Sequence, residues 1–161
     1  MSSKKWFLIG VLLLTGLTSG AAIEVGGRLP DLRAMGVAGT VPAMAGKVVL
    51  VDFWASWCGP CKKSFPALER LYQKYRSRGL VIVAISVDED AAALKEFIAV
   101  HPVSFAVVHD VQQRVVAAAE VEAMPTSFLI GKNGKVVAIH HGFDSEKTEA
   151  ALSQEIEGLL K

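Results

Sequence analysis

Cysteine is nearly absent from this chain. Cys58 and Cys61 are the only two in 161 residues, so no disulfide framework can build the fold. Histidine is almost as sparse. His101, His109, His140 and His141 are the whole set, and no two stand at the three-to-five spacing of a zinc ligand pair. Neither sign of charge dominates, because 17 basic and 16 acidic residues leave a net charge of +1. That balance gives no argument for nucleic acid or for an acidic surface as a partner. Glycine and proline are not in excess, and no repeat or linker follows Ala22. What is abundant is apolar side chain, at 52% of residues. A chain of one domain's length can bury a full core on that supply.

The two cysteines lie in Trp57-Cys58-Gly59-Pro60-Cys61. An apolar run, Val48 to Ala55, leads into them, and helix-compatible sequence follows from Lys62 to about Arg78. Cys58 thus falls where a helix begins. Unpaired N–H groups and the positive end of the helix dipole favour a thiolate there. A thiolate is the attacking species in disulfide exchange, so Cys58 is the candidate nucleophile. Cys61, one turn further in, is close enough to close a disulfide with it. Gly59 and Pro60 suit a tight first turn, where the N–H that proline lacks would be unpaired anyway. Three rival readings stand beside this one. A structural staple would more usually close a longer loop. Zinc would need two further ligands. Copper delivery by two thiols and a histidine is chemically permitted.

Residues 1–22 read as a secretory signal peptide, with residues 23–161 as the exported domain. Lys4 and Lys5 form a basic head, Trp6 to Leu17 is apolar apart from Gly10, Thr15 and Gly16, and Ser19-Gly20-Ala21-Ala22 offers small residues for cleavage. The alternative is an uncleaved anchor, since no charge occurs between Trp6 and Ile23. Both place the domain outside the cytosol, in a periplasm or a comparable extracytoplasmic space, soluble or membrane-anchored.

The remaining chain alternates strand and helix patterns. Leu29–Leu32 and Gly36–Val41 are expected as two short strands joined by a glycine turn. Val48–Trp54 and Leu80–Val87 suit strands buried on both faces. The helix between them carries Phe65, Leu68, Leu71, Tyr72 and Tyr75 on one side, with Pro66 inside it to kink it. Asp88 or Asp90 is expected to cap the next helix, Asp110 a short one through Ala119, and Ser145 the last. Strands at Thr126–Ile130 and Lys135–His140 flank the hairpin turn Lys132-Asn133-Gly134. The fold class is α/β, one mixed sheet with helices on both faces. Asp52, in an otherwise apolar strand, should be buried with a raised pKa.

The stretch Val51 to Lys62 resembles the active-site segment of thioredoxins, and Met124-Pro125-Thr126 resembles their second landmark, a loop whose cis-proline faces the cysteine pair. The signal sequence, the Leu29-Pro30-Asp31-Leu32 to Gly46-Lys47-Val48 lead-in and the inserted segment Glu89 to Ala118 are similar to the exported TlpA/ResA branch. That resemblance implies a thioredoxin-like fold with an N-terminal β-hairpin extension and a strand-helix insertion. It implies an extracytoplasmic thiol-disulfide oxidoreductase with Cys58, Cys61 and Asp52 as catalytic residues. Asp52 would accept the Cys61 proton. Trp57, Gly59, Pro60, Met124 and a cis Pro125 would meet the substrate. No cofactor beyond the Cys58–Cys61 disulfide is implied, and no metal. The implied partners are exported proteins with disulfides, cytochrome c maturation substrates among them, and a membrane carrier that returns thiol-reducing electrons. Three positions depart from the patterns of this group. Ser64 stands where ResA-like members often have glutamate, Asp52 where TlpA-like members often have asparagine, and Ala84 where thioredoxin has a lysine partner for its aspartate. Gly59-Pro60 resembles the dipeptide of thioredoxin, a reductant. A disulfide-donating oxidase, and a redox-inactive binding or chaperone module built on the cis-proline groove, are the competing functions.

Overall fold

The computed structural model describes residues 22–161, so the expected signal segment, apart from Ala22, lies outside the described residues. The central strand is β1 (Val48–Trp54), buried along its whole length. A strand covered on both faces needs apolar side chains in both directions, which explains the unbroken run from Val48 to Val51. β2 (Leu80–Ser86) pairs with β1 in parallel, and β3 (Ala106–His109) pairs in parallel with β2. β4 (Thr126–Ile130) lies antiparallel on the other side of β1, and β5 (Val136–His141) antiparallel to β4. Among the described residues this gives one mixed sheet in the order β3-β2-β1-β4-β5.

Among the described residues four α-helices connect and cover it: α1 (Gly59–Tyr75), α2 (Ala91–Val100), α3 (Arg114–Ala118) and α4 (Lys147–Leu159). The strand period of two decides which side chains face which layer. Trp54 packs its ring 4.6 Å from both Phe65 of α1 and Phe97 of α2, so Leu50, Asp52 and Trp54 look toward the face those helices cover. α4 joins that layer, with the Tyr75 and Ser153 hydroxyls 2.9 Å apart. Phe53 turns the other way, onto Phe128. On that side the N-terminal segment and the end of α3 close over the sheet, where Ile23 and Ala119 line one cavity with Phe128 and Ile139. Helices on both faces, and the α2–β3–α3 insertion after β2, agree with the expected fold.

The expected N-terminal hairpin does not form. Asp31 folds the lead-in into a helical turn instead, its carboxylate accepting from the Arg33 and Ala34 N–H groups and its carbonyl from Met35 N–H. An aspartate that satisfies three downstream amides removes them from any strand ladder. What remains of sheet pairing here is a single antiparallel bridge from Ala38 to His109, plus backbone bonds that tie Gly26 and Gly27 to Val136. Of the two candidates for the α2 cap, Asp90 is the one that serves, through the Ala92 N–H at 2.8 Å. One cap differs. Asp144, not Ser145, meets the start of α4, accepting from Glu146 and Lys147. Asp110 caps α3 as expected, accepting from three successive amides, Arg114 to Val116.

Candidate active site

The site is built where β1 ends. After Trp54 the chain turns tightly, with Cys58 N–H donating to the Ala55 carbonyl at 3.1 Å. α1 then starts at Gly59, which makes Cys58 the N-cap, where the sequence puts the beginning of the helix. Its sulfur accepts the Cys61 N–H at 3.2 Å, taking up one of the free amide donors of the first turn. Cys58 and Cys61 are joined as a disulfide, with Cα atoms 5.3 Å apart. Cys61 is fully buried and Cys58 is 4% exposed, so attack from outside reaches Cys58 first. Ser64, one turn on, is buried and donates its hydroxyl to the Cys61 carbonyl.

Trp57, immediately before the nucleophile, is 71% exposed. The Met124–Pro125 peptide bond is cis. Pro125 leads into β4, whose Thr126 pairs with Phe53 of β1, so the proline loop and the cysteine turn leave the sheet at the same end. Trp57 and Met124 line one open groove of about 920 Å³. Glu89, Asp90, Glu120 and Glu122 line it too. Trp57, Cys58, Cys61, Met124 and Pro125, which the resemblance groups together, thus lie at the same end of the sheet.

Asp52 lies deeper, on the strand face that looks toward the α1 layer. It is completely buried, and burial pushes its carboxyl up to about 7, against a smaller downward pull from the Ser127 hydroxyl bonded to it. Its strand neighbours are Ala84 on one side and Ser127 on the other, and neither is a cation. A carboxylate that exchanges a proton near neutral pH suits proton transfer to and from a buried thiol.

Two side chains were missed by sequence reading. Ser127 is the partner of Asp52, a fact that only the β1–β4 register reveals. Asp88 accepts from Ser56 rather than capping a helix, and only its place two residues past a buried strand hinted at anything else. Among the described residues, no group of three or more His, Cys, Asp or Glu is arranged to hold a metal ion.

The Redoxin family profile matches residues 20–156. The thiol-disulfide oxidoreductase ResA of Bacillus thuringiensis (strain Al Hakam) is 39% identical over 118 residues, 73% of this chain and 64% of that protein. The chain thus spans just under two thirds of that relative's length. The ResA of Geobacillus kaustophilus (strain HTA426) is 34% identical over 138 residues, 83% of this chain and 79% of that protein. Among solved structures, a protein assigned as a thiol:disulfide interchange protein DsbE from Chlorobium tepidum superposes with a TM-score of 0.79 at 36% identity, covering 87% of this chain and all of its own.

Proposed function

The chain belongs to the Redoxin family, and on that footing we propose that it is an extracytoplasmic thiol-disulfide oxidoreductase that reduces disulfides of exported proteins. The observation that carries this reading is the cysteine pair at the start of α1, with Cys58 slightly exposed and Cys61 wholly buried behind it, beside a groove that runs from exposed Trp57 to Met124. The relatives named thiol-disulfide oxidoreductase support the chemistry, and the signal-like residues 1–22 support the location.

In the reduced protein, the Cys58 thiolate attacks one sulfur of a substrate disulfide. The substrate's other sulfur leaves as a thiolate and takes a proton from water. The Cys61 thiol then loses its proton, with Asp52 as acceptor, and the resulting thiolate attacks Cys58 Sγ. The substrate's second thiol is released, and the Cys58–Cys61 disulfide closes. Two electrons pass from the dithiol to the substrate, and an exported or membrane-held dithiol must return them. Gly59, Pro60 and Pro125 shape the ground around the sulfurs. In this reading the Met124 backbone pairs with an extended substrate segment. Cytochrome c maturation proteins are one substrate class of the right kind. A membrane thiol-reducing carrier is the matching electron source, with residues 6–22 as the means of staying near it.

The deciding experiment is the reduction potential of the Cys58–Cys61 pair, equilibrated against dithiothreitol or glutathione. A value near roughly −270 mV is expected of a reductant. A value near roughly −120 mV reverses the direction and makes the protein a disulfide donor. Failure of the wild-type protein to exchange disulfides at all leaves the groove as a binding surface.

A further inference from the structure

Asp88 takes no part in the cycle above, yet it is buried at the base of the same site. It is 2% exposed. Ser56 N–H lies 3.1 Å from each of its oxygens, and the Ser56 hydroxyl donates to Oδ1 at 2.6 Å. The Ser86 hydroxyl donates to Oδ2 at 2.8 Å. The backbone of Asp88 is held as well, its N–H bonded to Ser86 Oγ at 3.1 Å and its carbonyl 2.6 Å from His109 Nε2. None of the ion pairs among the described residues includes Asp88. Burying a carboxylate with no opposite charge is costly, and filling that space does not require one. What a carboxylate does supply is several acceptor sites on a short stem.

Most of those sites go to one residue, Ser56, two positions before Cys58. The turn that carries Trp57 and Cys58 is otherwise closed by a single backbone bond, Cys58 N–H to the Ala55 carbonyl. The β2 exit is already fastened to the β1 exit by Val87 N–H to the Trp54 carbonyl at 2.9 Å, so Asp88 is a fixed point. Ser56, Trp57, Asp88 and Met124 line the same groove.

We propose that Asp88 is a positioning residue for disulfide exchange: through Ser56 it fixes the peptide that presents Trp57 and Cys58 to the substrate. The inference rests on the exchange reading given above. It assigns the effect to the tether and not to the charge, and this separates two variants. An asparagine at 88 can accept both Ser56 bonds and donate to Ser86 Oγ, so Asp88→Asn keeps the tether. Asp88→Ala removes it.

The test uses the full-length protein, insulin disulfides as the probe and dithiothreitol as the electron source. Two quantities are read: kcat and KM, and the pH midpoint for iodoacetamide alkylation of reduced Cys58. Asp88→Ala is expected to raise KM about tenfold, on the scale of losing hydrogen bonds to a charged group. Its alkylation midpoint should move upward, because Cys58 is held less firmly at the helix start. Asp88→Asn should restore KM to within about twofold of wild type. Ser56→Ala, which keeps the N–H bond and loses the hydroxyl bond, should raise KM about threefold and stands in if Asp88→Ala does not fold. A purely structural contribution would lower the melting temperature and leave KM and the midpoint in place, which overturns the proposal. So does an Asp88→Asn as impaired as Asp88→Ala, or a midpoint that falls, since either assigns the effect to charge. Wild-type protein that does not reduce insulin defeats the exchange reading itself. Active wild type with indifferent variants defeats only the role of Asp88.

Discussion

Ser127 donates its hydroxyl to Asp52 Oδ1 at 2.5 Å, across the antiparallel register that sets the two residues opposite each other. Oδ2 of the same carboxylate has no hydrogen-bond partner among the described residues. Half-solvated by protein in this way, Asp52 keeps its proton to about pH 7, and the sign of its effect on stability follows. The folded pKa lies above the unfolded value of 3.8, so the folded state holds the proton more tightly. Its contribution is fully present below about pH 4 and is lost as the pH rises to 7. Asp52→Asn removes that loss. The variant is expected to be more stable than wild type at pH 8, by up to about 4 kcal/mol for a shift of about 3 units. The gain should shrink toward zero near pH 4. Urea unfolding of the oxidised protein at both pH values checks this, and an equal gap at the two would show that Asp52 is not titrating in between.

Ser127→Ala takes away the one hydrogen bond that favours the charged form of Asp52. The carboxyl pKa should then rise further, and the pH at which mixed disulfides resolve should rise with it. The variant's stability cost should be larger at pH 8 than at pH 5, because a neutral carboxyl loses less when the hydroxyl goes. Rapid-mixing measurement of resolution against pH gives the first quantity and urea unfolding the second. A resolution profile unmoved from wild type would remove Asp52 from the proton path.

Much of this was legible in the chain because each signal was local. The Trp57 to Cys61 run, the Pro66 inside its helix, the Gly134 turn and the Asp110 cap are each decided within a few residues. The Asp52–Ser127 pair spans 75 positions and the Ser56–Asp88 pair 32, and neither is visible without strand register. The lead-in failed for a related reason. Leu29–Leu32 has a plausible strand pattern, but Asp31 gives the backbone a competing set of bonds, and Leu32 is buried from a turn instead.

The burial difference between the two cysteines predicts an asymmetry in trapping. With Cys58 at the helix cap and Cys61 fully enclosed, Cys61→Ala leaves a nucleophile that cannot be resolved. It should accumulate mixed disulfides with protein substrates, visible as adducts on non-reducing gels and lost on reduction. Cys58→Ala should accumulate few or none, since the remaining thiol is out of reach. Equal adducts from both variants would sink the assignment of roles.

Trp57 separates binding from chemistry. The residue is 71% exposed, so it contributes little to the core, and Trp57→Ala should change unfolding free energy by no more than about 0.5 kcal/mol. A large exposed aromatic at the mouth of a groove is, however, the kind of surface a protein partner covers. For a protein disulfide such as those of insulin, the variant should lose about tenfold in kcat/KM, carried by KM, on the scale of a truncated aromatic anchor. For hydroxyethyl disulfide, too small to span from Cys58 to the indole, the rate should stay within about twofold. Comparing the two substrates on one preparation makes the test internal. A parallel loss on both would mean that Trp57 acts on the Cys58 sulfur itself, and an indifferent response on both would mean that substrate approaches from the Met124 side of the groove.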